Sequence, residues 1–382
     1  MKIALIGPFP LDTTLIQGGI ESSVLGLARE LSLAHEVYVH DFPRKGIDDK
    51  TDRFDRLVVF RYNNSGKHNR DMARRIPSIV KALKDNPVDI CHIHGTSVFC
   101  KRLYLSLKRE GIPLILTVHG LAHIEKKKLL SRRFSLKLLW KYIEQSNAEK
   151  RLLSICEQVI VDTPYVARAI ASYGLKKTPR VHIIPQGINP YYSDVSANPD
   201  SNQILSVGTF SERKGQILLI QAFERVLHTC PQARLSLCGI VSDRTYYNRL
   251  LAYLSTSPCR DKVSITANAP QEELLSLYKE AHLFCLHSQE ESQGIVFAEA
   301  MAAGIPIVST RVGGIPDVVS EGETGFLSDY GNLDIFAQNI VTLMTNRKLW
   351  EKMSGQCRME GRRYSWRVIA SSVESLYDDV LK

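Results

Sequence analysis

Two glutamates separated by seven residues carry the clearest chemical signal in this chain. They are Glu291 and Glu299, within the segment Glu290–Gly314 (EESQGIVFAEAMAAGIPIVSTRVGG). Gly294, inside the gap, predicts the start of a short helix that carries Glu299 two turns along. The first N–H groups of a helix have no partners inside the helix, so they suit a phosphate. Glu291, just before the helix, is expected to be free to hydrogen-bond neutral hydroxyl groups, and the deeper Glu299 is expected to bind a vicinal diol. The pattern predicts a sugar-nucleotide site; the alternative is an ordinary α/β crossover with solvated acids.

Length and composition indicate a globular chain of two domains. It has 382 residues, of which 44% are hydrophobic and 23% charged. Two cores of ordinary size fit this length better than one. No apolar run approaches the roughly 18 residues of a membrane span, and MKIALIGPFP predicts a first strand rather than a signal peptide. Eight cysteines without CxxC pairs, several in apolar strands (Cys91, Cys238, Cys285), favour buried reduced thiols and a cytoplasmic protein.

Charge is distributed unevenly along the chain. Up to Ile188 there are 31 Lys and Arg against 18 Asp and Glu, a net of +13, whereas the remainder carries 18 against 22, a net of −4. A basic first half favours an anionic partner there. Nucleic acid, an anionic membrane surface and a phosphate-bearing substrate all fit this asymmetry.

Short apolar strands alternate with helical patterns, which is typical of parallel α/β architecture. The polar stretch 193–202, following Gly187-Ile188-Asn189-Pro190, is the best linker candidate. We therefore predict one Rossmann-like domain over 1–190, a second over 191–364 and a final helix over 365–382, with ligands at the carboxyl ends of the strands. The predicted strands are Lys2–Ile6, Glu36–His40, Leu57–Arg61, Asp89–Ile93, Pro113–Val118, Gln158–Val161, Val181–Ile184, Gln203–Val207, Arg234–Cys238, Lys262–Thr266, Leu283–Leu286 and Ile305–Ser309.

The glutamate pair with Gly294, the AMAAG run and Val312-Gly313-Gly314 resembles the EX7E signature of family 4 retaining glycosyltransferases, which have the GT-B fold. The resemblance covers nearly the whole chain and is strongest from about 204 to 330. It implies two doubly wound domains facing a cleft, an acceptor-binding one first and a nucleotide-sugar-binding one second. It also implies that the C-terminal helix crosses back onto the first domain, and that no metal or other cofactor is required.

In the first half, three strand ends match the family pattern. Gly18-Gly19 follows the first strand and opens a helix; paired glycines let backbone N–H groups approach a phosphate, and a plain tight turn is the alternative. His94 ends DICHIH and is expected on the acceptor side, or else as a structural histidine. His119 follows the strand Pro113–Val118, where ligands bind, and the resemblance places it beside the transferred sugar.

In the second half, Lys214 at a predicted helix start would neutralise a diphosphate and stabilise the leaving nucleotide. Relatives usually carry arginine directly after Gly208, where this chain has Thr209, so Arg213 is a candidate substitute. Gln293 stands where many relatives have phenylalanine, and its amide either reaches a sugar hydroxyl or fills space. By resemblance, the catalytic residues are His119, Lys214 and Glu291, and the donor-binding residues are Gly18, Gly19, Arg213, Lys214, Gln293, Gly294, Ile295, Val296 and Glu299.

A basic segment with interleaved apolar residues covers 125–141 (EKKKLLSRRFSLKLLWK). Such a pattern on a helix favours the anionic cytoplasmic face of a membrane, although a solvated helix with its leucines in the core gives a similar pattern. No recognised nucleic-acid module is present, so we expect no nucleic-acid partner. The candidate membrane patch consists of Lys126, Lys127, Lys128, Arg132, Arg133 and Lys137.

Together these features predict a metal-independent, retaining glycosyltransferase that moves a hexosyl or N-acetylhexosaminyl group from a UDP- or GDP-linked donor to an acceptor hydroxyl. The acceptor is expected to be a cell-envelope polysaccharide or a lipid-linked glycan, and the location cytoplasmic with peripheral membrane attachment. Two other classes stay open: a non-catalytic sugar-nucleotide or glycan-binding protein, and another GT-B enzyme such as a sugar-nucleotide epimerase or phosphorylase. The donor sugar, the base, the acceptor and the linkage are not determined by the sequence.

Overall fold

The structure is a computed structural model that describes residues 1–13, 18–64, 69–121, 123–124 and 135–382, without the side chains of 69, 70 and 137. The chain divides into two compact units. The first contains Met1–Gly187 and Trp366–Lys382, and the second contains Ile188–Ser365.

The first unit is built on a sheet with eight strands among the described residues. The strands are β1 (Lys2–Gly7), β2 (Glu36–Asp41), β3 (Lys50–Phe54), β4 (Leu57–Arg61), β5 (Ile90–His94), β6 (Leu114–Val118), β7 (Gln158–Val161) and β8 (Arg180–Ile183). Their order is β3-β4-β2-β1-β5-β6-β7-β8, and every pairing is parallel except β3 with β4. The helices that connect them are α1 (Gly19–Ser32), α2 (Ile76–Asp85), α3 (Val98–Arg109), α4 (Leu136–Ile155) and α5 (Pro164–Ala171).

Helices cover both faces of this sheet, which explains its nearly continuous apolar strands. In β1 the side chains of Ile3 and Leu5 pack on one face with α1, whereas Ala4 and Ile6 pack on the other with α3. This alternation is the two-residue period of a strand. Because both faces are apolar, the polar residues of the first unit concentrate where the strands end.

The second unit has a parallel sheet of six strands among the described residues, in the order β11-β10-β9-β12-β13-β14. The strands are β9 (Gln203–Val207), β10 (Arg234–Gly239), β11 (Val263–Ala267), β12 (Leu283–Leu286), β13 (Ile307–Thr310) and β14 (Gly325–Ser328). The helices are α6 (Gln216–Val226), α7 (Arg244–Thr256), α8 (Gln271–Glu280), α9 (Ile295–Ala302), α10 (Ile315–Val318), α11 (Leu333–Thr345) and α12 (Arg347–Gly361).

Two strands were missing from the sequence prediction. The first, β3, reads KTDRF and forms an exposed antiparallel edge strand, so it lacks the apolar run that identifies the inner strands. The second, β14, is four residues long and begins at a glycine, which indicates a turn rather than a strand. Gly325 is required there because a Cβ atom would lie 2.1 Å from the carbonyl oxygen of Ile307 on the neighbouring strand.

The last helix, α13 (Trp366–Leu381), belongs to the first unit although it follows the second along the chain. Its Trp366 indole lies against two glycines, since a Cβ atom at Gly26 or Gly187 would approach the ring to 2.0 or 2.5 Å. Tyr377, also buried, contacts His92 of β5 through a 2.7 Å hydrogen bond. None of the helices in the described part of the chain has the length and apolar composition needed to cross a membrane.

Candidate functional site

A lysine and a glutamate from distant parts of the sequence meet at the strand ends of the second unit. Lys214 closes a 3₁₀ turn, Glu212–Lys214, that follows β9, and its aliphatic stem lies 3.4 Å from the position of a Cβ atom on Gly208. Lys214 is 8% exposed and its Nζ lies 2.6 Å from Oε1 of Glu291.

Glu291 is held by three side chains. Ser288 donates from Oγ to the same oxygen, Oε1, at 2.6 Å, and Arg213 Nη1 lies 3.4 Å from Oε2. Burial alone would raise the pKa of Glu291, but the charges of Lys214 and Arg213 and the hydrogen bonds from Lys214 and Ser288 outweigh it and hold the pKa below its ordinary value. In the described structure Glu291 is thus the anion of a buried ion pair, and its role toward sugar hydroxyls stays a prediction.

The segment that carries Glu291 is fixed by close backbone packing. Gly313 has φ +57°, and a Cβ atom there would lie 2.2 Å from the carbonyl oxygen of Glu291. The N–H of Gly314 donates to that same carbonyl at 2.8 Å. On the other side, Arg213 donates from Nη1 to the carbonyl of Glu290 at 3.0 Å. The two glycines and the arginine thus hold the loop beside Lys214.

Gly294 begins the helix α9 as the sequence predicts. It has φ +73°, a left-handed conformation that favours glycine, and a Cβ atom would lie 2.7 Å from the Phe297 ring. The amide groups of Ile295 and Val296 form the first turn, where helices present N–H groups without partners inside the helix. A phosphate-sized anion fits such a terminus.

Glu299 lies one turn further along α9 and contacts a pair of buried tyrosines. Tyr278 donates to its Oε2 at 2.9 Å, and Tyr192 is a second hydrogen-bond donor to the carboxyl group. Burial raises the pKa of Glu299 to about 7, against the opposing effect of both tyrosines. Glu299 thus differs from Glu291: one carboxyl group is fixed by cations, and the other by neutral hydroxyl groups.

The structure describes both residues that depart from the family pattern, Gln293 and Thr209. Gln293 is buried, with 1% of its surface exposed. Thr209 accepts through its carbonyl from the Gln216 side chain at 3.0 Å, so it supports the start of α6. Among the described ion pairs of Glu291 the arginine is Arg213, and its substitution for the arginine of the family pattern stays a prediction.

In the first unit, His94 and His119 lie side by side at the ends of β5 and β6. His94 Nδ1 and His119 Nε2 are 3.0 Å apart, and both side chains are buried. Burial lowers the pKa of His119 to about 4 and that of His94 well below its ordinary value. His92 packs on His94 with 4.3 Å between ring centroids and is bonded to Thr117 and Tyr377, as expected for a histidine inside the sheet.

Two residues that sequence reasoning missed complete this cluster. Asp162 follows β7, with Oδ1 3.8 Å from His119 Nδ1, and Gln186 follows β8 and donates to Asp162 Oδ2 at 2.7 Å. Burial raises the pKa of Asp162 to about 7, and the Gln186 hydrogen bond opposes this effect. The sequence does contain a signal for Asp162, because it is an acidic residue directly after the apolar strand Gln158–Val161, and that strand is the next one along the chain after the strand that precedes His119.

Gly18 and Gly19 open α1 at the same edge of this sheet. Gly18 is extended (φ −179°, ψ 163°), and a Cβ atom there would meet no described residue within 4 Å. At Gly19 a Cβ atom would lie 4.0 Å from Gln186 Oε1. Neither position needs glycine for its backbone conformation, so the sequence prediction that glycine admits a ligand stays a prediction.

The candidate membrane patch lies mostly outside the described residues. Lys126, Lys127, Lys128, Arg132 and Arg133 belong to the undescribed stretch 125–134, and the side chain of Lys137 is not described. The first turns of α4 are described, and there Leu136, Trp140 and Ile143 are 75%, 58% and 47% exposed. Their spacing places all three on one helix face.

These two parallel-sheet units, with cations and carboxylates at the strand ends of the second, define the protein as a GT-B type α/β protein. Solved structures with similar folds support this assignment. The sucrose-phosphate synthase of Thermosynechococcus elongatus aligns with a TM-score of 0.83 and 21% identity over 99% of this chain and 98% of that one. Anabaena HepE in complex with UDP-glucose aligns with a TM-score of 0.74 and 17% identity over 99% and 100%.

Family models match both halves of the chain. "Glycosyltransferase Family 4" matches residues 17–191, and "Glycosyl transferases group 1" matches 192–359. A D-inositol 3-phosphate glycosyltransferase of Corynebacterium efficiens is 33% identical over 176 residues, which are 45% of this chain and 42% of that protein. The matches to the first curated relatives span 42 to 64% of their length. The chain belongs to glycosyltransferase family 4, which confirms the resemblance read from the glutamate motif.

Proposed function

We propose that this protein is a retaining glycosyltransferase that uses a UDP- or GDP-linked sugar as donor. The observation that carries the proposal is the buried Lys214–Glu291 pair at 2.6 Å beside the N-terminus of α9. Two cations from the turn after β9, a helix terminus and two differently held carboxyl groups belong to this part of the second unit. HepE, a neighbour by fold, is described in complex with UDP-glucose, which supports the donor class.

The pair suggests how the donor would bind. Lys214 and Arg213 each form their ion pair with Glu291, so each carries a positive charge that a diphosphate can share. The first N–H groups of α9 would take the remaining phosphate oxygens. As the cations turn to the phosphates, Glu291 becomes available to accept from hydroxyl groups of the transferred sugar, with Gln293 beside it.

In this proposal Glu291 is not a covalent nucleophile. Its oxygens would accept from the Ser288 hydroxyl and, once the donor is bound, from hydroxyl groups of the transferred sugar, so their lone pairs would be engaged there rather than with the reacting carbon. Departure of the nucleotide on the same face as acceptor attack gives retention without a glycosyl-enzyme intermediate. Lys214 stabilises the negative charge that develops on the leaving diphosphate, and that phosphate takes the acceptor proton.

Glu299 would bind the nucleoside end of the donor. Its carboxyl group accepts from Tyr278 and Tyr192, so it can accept in the same way from a vicinal diol such as that of ribose. In the first unit, His119 and His94 would contact the acceptor, and Gly18-Gly19 would let backbone N–H groups approach the donor phosphate. No metal takes part in the proposed step, since Lys214 and Arg213 supply the positive charge.

The donor is tested by a thermal-shift series with UDP-, GDP- and ADP-sugars on wild type, Lys214→Met and Glu291→Gln. A ligand that binds only the folded state raises stability by about 2.7 kcal/mol at a hundredfold excess over Kd. We expect one nucleotide class to raise the midpoint of wild type and to have little effect on Lys214→Met. Equal shifts in all three proteins would refute the site.

Transfer is tested with the donor identified in that series and radiolabelled sugar. Wild type should release the free nucleotide and form a product with the anomeric configuration of the donor. An inverted product would refute the retaining mechanism. Binding of the donor without either transfer or hydrolysis would instead favour the non-catalytic class, and interconversion of the nucleotide-sugar would favour an epimerase.

We propose further that the acceptor is a cell-envelope or lipid-linked glycan and that the protein binds the cytoplasmic face of a membrane. The exposed stripe Leu136, Trp140 and Ile143, next in sequence to the basic stretch 126–133, supports this proposal. Apolar residues flanked by cations suit anionic lipid surfaces. Wild type should sediment with phosphatidylglycerol liposomes at low salt and Trp140→Ser should sediment less. Equal sedimentation with phosphatidylcholine liposomes would contradict the proposal.

A further inference from the structure

Four neighbouring strands of the first unit each contribute a polar residue to one edge of the sheet. These residues are His94 at the end of β5, His119 after β6, Asp162 after β7 and Gln186 after β8. They line one cavity of about 20 Å³, together with Trp366 of the C-terminal helix. Since the sheet order is β5-β6-β7-β8, their side chains follow one another along the edge in the same order.

The contacts of His94 limit how protons are placed in this cluster. Between His94 Nδ1 and His119 Nε2, 3.0 Å apart, one nitrogen must donate and the other accept. The second ring nitrogen of His94, Nε2, is buried and has no hydrogen-bond partner among the described residues. Donation by His94 would place the second buried proton of the pair on His119 Nδ1, whereas donation by His119 would place it on His94 Nε2, so the assignment depends on what faces these two nitrogens.

When His94 donates to His119, the proton of His119 lies on Nδ1. Nδ1 is the nitrogen that faces Asp162 Oδ1 at 3.8 Å, a distance longer than a direct hydrogen bond but well within electrostatic range. The opposite tautomer would direct a lone pair at the carboxylate and leave a buried N–H on His94. The carboxylate therefore favours the arrangement in which His94 donates, and burial strengthens this preference because charges are poorly screened there.

We propose that Asp162 is a positioning residue for His119, and that its carboxylate holds the His119 proton on Nδ1 and thereby fixes the ring against His94. Gln186 holds Asp162 in turn through the 2.7 Å hydrogen bond from its amide group. The functional part of this inference rests on the proposed glycosyl transfer, whereas the tautomer does not.

The consequence concerns what His119 presents to a substrate. Its side chain is 5% exposed and both ring nitrogens face His94 and Asp162, while the residue as a whole is partly exposed. The accessible part of His119 is therefore mainly its backbone at the end of β6. Asp162 would act on transfer by keeping that strand end in place, without touching the substrate.

The tautomer is tested by NMR on protein labelled with ¹⁵N-histidine, at pH 8, with His119→Asn used to assign the signal. Wild type should show His119 with the proton on Nδ1. In Asp162→Asn and Asp162→Ala the Nδ1–H form should lose its preference, seen as a change in both ring ¹⁵N shifts of His119. A His119 spectrum identical to wild type in both variants would overturn the proposal.

A matched control comes from Asp52, a carboxylate of the same unit that pairs with Arg61 and Lys50 rather than with a histidine. Asp52→Asn should leave the His119 signals unchanged. If it changes them as much as Asp162→Asn does, the effect is a general response of the unit and the proposal fails. Melting curves of each variant verify that the folded state is being compared.

Activity gives a second, separate readout. We expect Asp162→Asn to lower kcat about 10- to 100-fold, as expected when a supporting contact is lost, with the donor KM changed less than twofold. Because Asp162 acts through His119, the same change in a His119→Asn background should cause no further loss. Independent, multiplicative losses would overturn the positioning role. A wild-type protein without transfer activity would refute the proposed function, while the NMR result would still decide the role of Asp162.

Discussion

Replacing Lys214 by methionine removes one half of the buried ion pair and leaves Glu291 in place. At 2.6 Å and an effective dielectric constant of about 20, the direct attraction is about 6 kcal/mol before desolvation is subtracted. Removal of one partner from a buried pair typically costs about 3–5 kcal/mol. Arg213 and Ser288 still contact the carboxylate, so we expect the lower value of about 2–3 kcal/mol.

Differential scanning calorimetry measures this loss. For a unit of the size of Ile188–Ser365, 2–3 kcal/mol corresponds to a midpoint about 4–12 °C lower. The exposed pair Arg225–Asp334, also 2.6 Å apart, gives a matched control, since Arg225→Met should cost under about 1 kcal/mol. A loss in Lys214→Met no larger than that control would refute the reasoning.

The double variant Lys214→Met with Glu291→Gln separates burial from charge. It replaces both charges by neutral groups of similar size, so its stability should return to within about 1 kcal/mol of wild type. We expect a coupling energy of at least about 2 kcal/mol and complete loss of transfer in a folded protein. Additive single effects would show that the two side chains do not interact as the 2.6 Å distance implies.

The pH dependence has a definite sign. In wild type the folded-state pKa of Glu291 lies below its ordinary value, so the carboxylate stabilises the fold above the unfolded pKa and this stabilisation is lost as the pH falls through the folded pKa. In Lys214→Met burial is opposed only by the Arg213 charge and the Ser288 hydrogen bond, so the pKa of Glu291 rises relative to wild type. The difference in stability between variant and wild type should therefore shrink as the pH is lowered from 7 to 5.

Three further outcomes are expected. Glu299→Gln should abolish any preference for a ribonucleotide over its 2′-deoxy analogue in calorimetric titrations. Because burial raises the pKa of Glu299 to about 7, the donor affinity of wild type should rise from pH 6 to 8, whereas that of the variant should stay constant. Gly294→Ala should cost about 2 kcal/mol of stability through its φ of +73° and its contact with Phe297, measured by denaturant unfolding, and an unchanged midpoint would contradict this cost. Gly18→Ala should change stability by less than about 0.5 kcal/mol, since the added Cβ meets no described residue within 4 Å, while transfer should fall if a phosphate approaches there; unchanged transfer would exclude Gly18 from the donor site.

Much of the fold followed from local pattern. The inner strands are buried on both faces, so their apolar runs identified them to within one or two residues, as at Leu283–Leu286 and Gln203–Val207. The edge strand Lys50–Phe54 has no such run, and its pairing with β4 is decided by a hairpin rather than by its own composition.

In the candidate site, too, local features were predictable from the sequence and long-range contacts were not. Gly294 needs its left-handed conformation within a few residues of Phe297, and that requirement is local and readable. The state of Glu291 is not local, because Lys214 lies 77 residues away and meets it only when β9 and β12 pair in the sheet.

The sequence by itself determined the class of fold, the family and the segment that carries the two glutamates, since these follow from residue spacing along single elements. The tertiary structure alone decided which charges meet: it turned Glu291 from a free carboxylate into the anion of a buried pair, and it brought Asp162 and Gln186 to His119. Strand order in a parallel sheet is set by long-range packing, and the electrostatic state of a buried group depends on the neighbours that this order provides.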